Sequence, residues 1–122
     1  MDGFSLPQTQ TPRTPIRAVL VAAGVHNYWL AEGRYHGRAL ELVDSMLLIN
    51  NTCDGALKRY RFVDTSRSAA ALGYTGPAGW SPHYAKIRTV DACRGIGRLH
   101  NWDVYLASPQ YMALARQYSW PQ

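Results

Sequence analysis

The hexamer Val90-Asp91-Ala92-Cys93-Arg94-Gly95 sets a cysteine between a carboxylate and a guanidinium, and His36-Gly37 lies well upstream of it. A cysteine nucleophile needs an imidazole close by to take its proton, so Cys93 and His36 are the first pair whose types could do chemistry. The other histidines, His26, His83 and His100, are scattered, and no pair has HExxH or CxxC spacing. No metal site is expected, and no cofactor. A lone histidine is more often a hydrogen-bonded structural residue than a catalyst. Cys53 and Cys93 permit one disulfide at most; without a signal peptide they read as reduced thiols, behaving as small buried hydrophobes. Gly95-Ile-Gly97 fails as a phosphate loop, because a strand rather than a helix N-terminus is expected after it.

The elements that must position these residues belong to a chain of 122 residues, 47% apolar and 17% charged, with a net charge of +5. That length and balance point to one domain, residues 14–122, behind a flexible leader at residues 1–13 that carries Pro7, Pro12 and a polar run. Ala18 to Val25 is too short an apolar run to span a bilayer, so no membrane partner and a cytoplasmic location are expected. The basic excess is confined to residues 34–100, which hold ten bases against five acids. Eleven of the thirteen bases are arginine, suited to planar and bidentate contacts. If this excess formed one face, Arg59, Arg61, Arg88 and Arg98 would be its nucleic-acid contacts.

Thr14-Pro15 looks like a helix N-cap, and Ile16, Val19, Leu20 and Ala23 recur at helical spacing, which predicts a helix over 15–31. Leu40, Val43, Met46 and Leu47 predict a second helix over 35–49, although Met46 to Asn50 also fits a short strand. Residues 57–63 alternate as a strand, 65–73 fit a short helix, and the glycines and prolines of 73–82 mark a loop that presents or buries Trp80. Residues 83–90 and 99–107 alternate again and are expected to pair as an antiparallel hairpin, followed by a helix over 109–118. The order implies an α+β fold, with N-terminal helices packed on a curved antiparallel sheet and a short C-terminal helix.

Four stretches resemble known families. Val90 to Gly95 is one residue from the caspase signature, but too little chain precedes His36 to build that family's core. Arg94 and His100 have the Arg-x5-His spacing of HEPN ribonucleases, which are all-helical, against the alternation here. Ser68 to Ile87 looks a little like the helix-turn-helix of LysR-type repressors, with Pro77, Gly79 and Pro82 interrupting the rod that must enter the groove. The broadest likeness covers Gly97 to Gln117, with its glycine turn, Trp102-Asp103 pair and leucine-bearing tail, together with Ile16 to Leu30, Ala31 to Arg34 and Arg38 to Val43. These resemble the nuclear-transport-factor-2-like, SnoaL-like superfamily.

That resemblance implies a cone-shaped sheet closed by helices over an apolar pocket, often in a homodimer. It also implies a small-molecule ligand that is bound, or turned over by isomerisation, dehydration or hydrolysis. Asp103 of the Trp-Asp pair would be the acid–base residue, its acidity weakened by an apolar pocket, and Tyr28, Tyr60 or Tyr84 would donate to an oxyanion. Trp29, Tyr84, Trp102 and His100 would line the pocket. Alternation puts Asp103 on one face with Leu99 and Tyr105, and Trp102 on the other with His100 and Val104; either face could be inward. The rival expectation is a basic accessory protein, encoded on a mobile element, that binds nucleic acid or a protein partner.

Overall fold

The computed structural model describes residues 14–62 and 69–119. The expected leader, and residues 65–68 of the helix expected over 65–73, lie outside them. Three strands, β1 (Arg17–Val21), β2 (Ser45–Asn50) and β3 (Ile87–Asp91), form one sheet in the order β1-β2-β3. Both pairings are parallel, with Val19 opposite Leu47 and Leu48 opposite Thr89. The helices are short except the last: α1 (Ala39–Leu42), α2 (Gly55–Lys58), α3 (Leu72–Thr75), α4 (Cys93–Ile96), α5 (Trp102–Leu106) and α6 (Pro109–Ser119). Two 3-10 turns, Tyr60–Phe62 and Pro82–Lys86, follow α2 and precede β3.

The curved antiparallel sheet expected from the sequence is therefore replaced by a parallel one, and the physical reason is burial. β2 is the central strand, and Met46, Leu47, Leu48 and Ile49 are all buried. Leu47 and Ile49 face one cluster with Val19, Val21, Tyr105 and Tyr111, whereas Met46 and Leu48 face another with Leu20, Leu30, Leu40 and Leu72. A strand covered on both faces reads as a continuous apolar run. Such a run satisfies a helical stripe as readily as a strand. This is why 15–31 is β1 followed by turns rather than a helix, and why 35–49 divides into α1 and β2, as the short-strand alternative for Met46 to Asn50 allowed.

Two expected strands are helical. Of the strand expected over 57–63, residues 57–62 lie in α2 and the following 3-10 turn and residue 63 lies outside the described residues; Asp54 caps α2 by accepting a hydrogen bond from the Leu57 N–H at 2.9 Å. Residues 99–107 contain α5, which buries Tyr105 and packs beside α6, so no hairpin joins them to 83–90. The latter segment is a 3-10 turn running into β3. Lys86 reaches across the second layer and donates to the Leu40 and Val43 carbonyls at 2.5 and 2.9 Å, satisfying the open end of α1. The final helix stands where expected, over 109–119. Among the described residues, no helix is long and apolar enough to cross a membrane.

The segments after β1 and before α3 run side by side. Leu72 N–H donates to Val25 O at 2.7 Å and Gly73 N–H to Ala23 O at 2.9 Å, while Asn51 N–H donates to Gly73 O at 2.7 Å. A Cβ at Gly73 would collide with the backbone of Ala22 and Ala23, where no side chain can yield. Gly73→Ala is accordingly expected to lower stability by at least about 2 kcal/mol in urea unfolding, and Leu48→Ala by about 2–5 kcal/mol through its cavity. A loss below about 0.5 kcal/mol for either would contradict this packing.

Candidate active site

The chain leaves β2 and β3 at the same end of the sheet, since parallel strands share their carboxyl edge. There Asn51 to Asp54 follows β2, and Ala92 to His100 follows β3. Asp54 is fully buried, and its carboxylate is divided between two donors. One oxygen receives the Leu57 N–H, and the other lies 2.5 Å from His100 Nδ1. A carboxylate only accepts hydrogen bonds, so Nδ1 carries the proton shared with Asp54 and, when the ring is neutral, Nε2 presents its lone pair. The His100 side chain is 45% exposed against 0% for Asp54, so the imidazole is anchored on a sheltered carboxylate while part of it reaches solvent. That is the arrangement of a general base held in one tautomer by a buried acid.

Three further bonds hold the histidine segment against the β2 exit. The Asn51 amide donates to Gly97 O at 2.7 Å and to the Tyr105 hydroxyl at 3.0 Å, while its carbonyl accepts the Cys53 N–H at 2.9 Å. Gly55 N–H donates to Arg98 O at 3.1 Å. A buried asparagine so fully satisfied stiffens the loop it belongs to. Burial pushes the pKa of Tyr105 above the usual tyrosine value, which keeps its hydroxyl neutral beside the Asn51 amide.

The exits of β2 and β3 are joined again by Asp91, which accepts from Thr52 N–H at 3.1 Å, Thr52 Oγ1 at 2.7 Å and Cys93 N–H at 3.1 Å. Cys53 and Cys93 form a disulfide across the same gap, with their Cα atoms 5.0 Å apart, where the sequence reading had reduced thiols. Neither spacing nor composition could reveal that pairing, which follows from two loops meeting at one sheet edge.

Cys93 is thus bonded to Cys53, and His36 sits in an aromatic group with Trp29 and Tyr35, at 5.3 and 4.4 Å between ring centroids. The cysteine–histidine pair suggested by the hexamer is not formed. Asp103 lies on α5 and is exposed, outside any apolar enclosure. Trp102 beside it is 59% exposed. Tyr28 lies under the Arg34 guanidinium, with Arg34 Cζ 5.1 Å from the ring centroid, and Trp29 packs 4.3 Å from the His26 ring. The Tyr60 hydroxyl is 2.8 Å from His26 Nδ1. Tyr84 donates to Ala78 O at 2.7 Å, its ionisation pushed up by burial. Of the residues expected to line a pocket, only His100 joins a carboxylate.

Arg59 and Arg98 share a cleft with Lys58, Arg61 lines the neighbouring one, and Arg88 lines neither. No group of three or more potential metal-ligating side chains occurs among the described residues. Asp54 went unnoticed in the sequence although two signals pointed to it: an apolar run ending in Asn-Asn-Thr-Cys-Asp, and an N-cap residue ahead of Gly-Ala-Leu.

Burial opposes ionisation of Asp91, but its bonds to the Thr52 hydroxyl, Thr52 N–H and Cys93 N–H outweigh that and hold its carboxyl below the ordinary aspartate value. A carboxyl depressed in the folded state stabilises the fold above the unfolded value near about 4, and loses that contribution as pH falls through the folded value. Asp91→Asn is therefore expected to destabilise the protein at pH 7 and to approach wild-type stability at the acid end of a pH series of urea titrations. A stability difference that is constant with pH would show that Asp91 does not clamp these loops as an anion. No family model, curated protein or solved structure matches the chain, so what the site does is read from its geometry.

Proposed function

We propose that Asp54 and His100 are the acid–base pair of a hydrolase acting on an ester-type acyl bond, in the manner of α/β-hydrolases. The observation that carries this is the 2.5 Å contact between His100 Nδ1 and a fully buried carboxylate, on a histidine whose side chain is partly exposed. Two features of the fold support it. The pair lies at the carboxyl edge of a parallel sheet, where open α/β sheets bind their ligands. The chain order, carboxylate after one strand and histidine after the next, is also that of the α/β-hydrolase triad. The likeness is one of architecture and geometry, and it raises the hydrolytic reading above the isomerisation and dehydration expected beside it. It also replaces the acid–base role expected of Asp103 with His100 as the base and Asp54 as the carboxylate that orients it.

The reaction asks three things of these residues. As a hydroxyl oxygen attacks the acyl carbon, its proton passes to His100 Nε2. Asp54, hydrogen-bonded to Nδ1–H, holds the ring in place and stabilises the imidazolium that forms. The bond to the leaving oxygen then breaks, and Nε2 returns the proton to that oxygen. The attacking hydroxyl is that of a water molecule, so the acyl group leaves as the free acid and the alcohol carries the returned proton.

Hydrolysis of 4-nitrophenyl acetate tests the pair. His100→Gln and Asp54→Asn are each expected to lower kcat/KM by about 100-fold or more, and Asp103→Asn to leave it within about twofold. In parallel, the ring nitrogen spectrum of neutral His100 should report the Nδ1–H tautomer in the wild type and lose it in Asp54→Asn. Hydrolysis indifferent to both His100 and Asp54 would sink the reading.

A further inference from the structure

The cleft next to the pair has a volume of about 480 Å³, within the range of small-molecule sites, and three of its lining residues are Lys58, Arg59 and Arg98. Among the described residues no carboxylate lines it and none of the three cations has an ion-pair partner. The cations are brought together by the elements that build the dyad. Asp54 caps α2, Lys58 is its last residue and Arg59 its C-cap, while Arg98 precedes His100 by two positions and is held through its own carbonyl by Gly55 N–H. Two other lining residues, Cys53 and Gly55, flank Asp54 in sequence. The remaining wall is Thr52 and two aromatic residues, Tyr74 and Phe62, the latter 66% exposed.

We infer that this cleft binds the anionic group of an organic ligand, a carboxylate or phosphate carried on an apolar body; as a substrate subsite it rests on the Asp54–His100 reading. Three converging cations without a counter-charge make a positive potential that an anion neutralises. Arginine adds the planar fork that matches carboxylate and phosphate oxygens. Phe62 and Tyr74 give the apolar body a surface to cover. Lys58 stands one helical turn, about 5.4 Å along the axis, from Asp54. The anion should accordingly sit only a few bonds from the bond that is cut, as in a monoester of a dicarboxylic acid.

Titration calorimetry at low ionic strength, with phenylacetate, phenyl phosphate and neutral phenylacetamide as probes, tests the cleft directly. At least one of the anions is expected to bind about tenfold or more tighter than the amide, and the ratio between the two anions tells carboxylate from phosphate. The combined variant Lys58→Gln, Arg59→Gln, Arg98→Gln should abolish the preference, and His100→Gln should preserve it. A second arm compares hydrolysis of 4-nitrophenyl hemisuccinate with that of 4-nitrophenyl butyrate, where the preference for the charged ester should also vanish in the combined variant.

Equal binding of the amide and the anions, or a preference that survives loss of all three cations, overturns the inference. Tight binding of oligothymidylate, weakened as much by Arg88→Gln as by the combined variant, overturns it in favour of a nucleic-acid face. Hydrolysis that needs His100 but shows no charge preference would remove the anion subsite and spare the dyad. An anion preference together with hydrolysis indifferent to His100 would remove the dyad and leave the anion site standing.

Discussion

Burying a carboxylate in a protein interior is unfavourable unless its oxygens are given donors, and Asp54 is fully buried. Its environment is organised around that cost. One donor comes from the first turn of α2 and starts that helix; the other comes from His100, more than forty residues away along the chain. Satisfying a single anion thus fixes the direction in which the chain leaves β2 and the place where the segment after β3 must return. Asn51 performs the same service with an amide, tying Gly97 and Tyr105 to the same loop. The candidate chemistry follows from the folding requirement, because a histidine recruited to satisfy a buried acid is left with one nitrogen free to work.

The sheet makes this economical. Parallel strands deliver their following loops to one edge, so residues remote in sequence meet without long excursions. β2, buried on both faces, is the rigid member from which the Asn51–Asp54 loop projects. Asp91, Thr52 and the Cys53–Cys93 bond then lock the β2 and β3 exits to one another. The cationic cleft grows from the same construction: α2 begins at Asp54 and ends in Lys58 and Arg59, and the segment that brings His100 also brings Arg98. Three of the ten bases between residues 34 and 100 are thereby gathered in one cleft by the elements that carry Asp54 and His100.

How much of this was legible can be judged from particular residues. Pro109 to Ser119 was readable as a helix because its signals are local: a serine–proline start and apolar residues on one side. Met46 to Ile49 was ambiguous, because residues covered on both faces carry no period that separates helix from strand. Residues 99–107 alternated, yet they became α5 once Tyr105 found its place against Asn51 and Tyr111. Local pattern yielded there to tertiary packing. Asp103 drew attention through its tryptophan neighbour, while Asp54, in an unremarkable turn, held the position that matters. Nothing in the spacing of Asp54 and His100 announces that they touch.

By itself the sequence determined the residue types available, the apolar runs that must be buried, the location of the basic excess and the final helix. These depend on neighbours within a few positions, where propensity and burial act directly. Only the tertiary structure decided that the strands are parallel, that Cys53 meets Cys93, that Asp54 and not Asp103 is sheltered, and that His100 supplies its partner. Each of these depends on contacts between segments separated by 28 or more residues. Such contacts are selected by the joint packing of all the elements around β2 and by the need to satisfy every polar group buried with them.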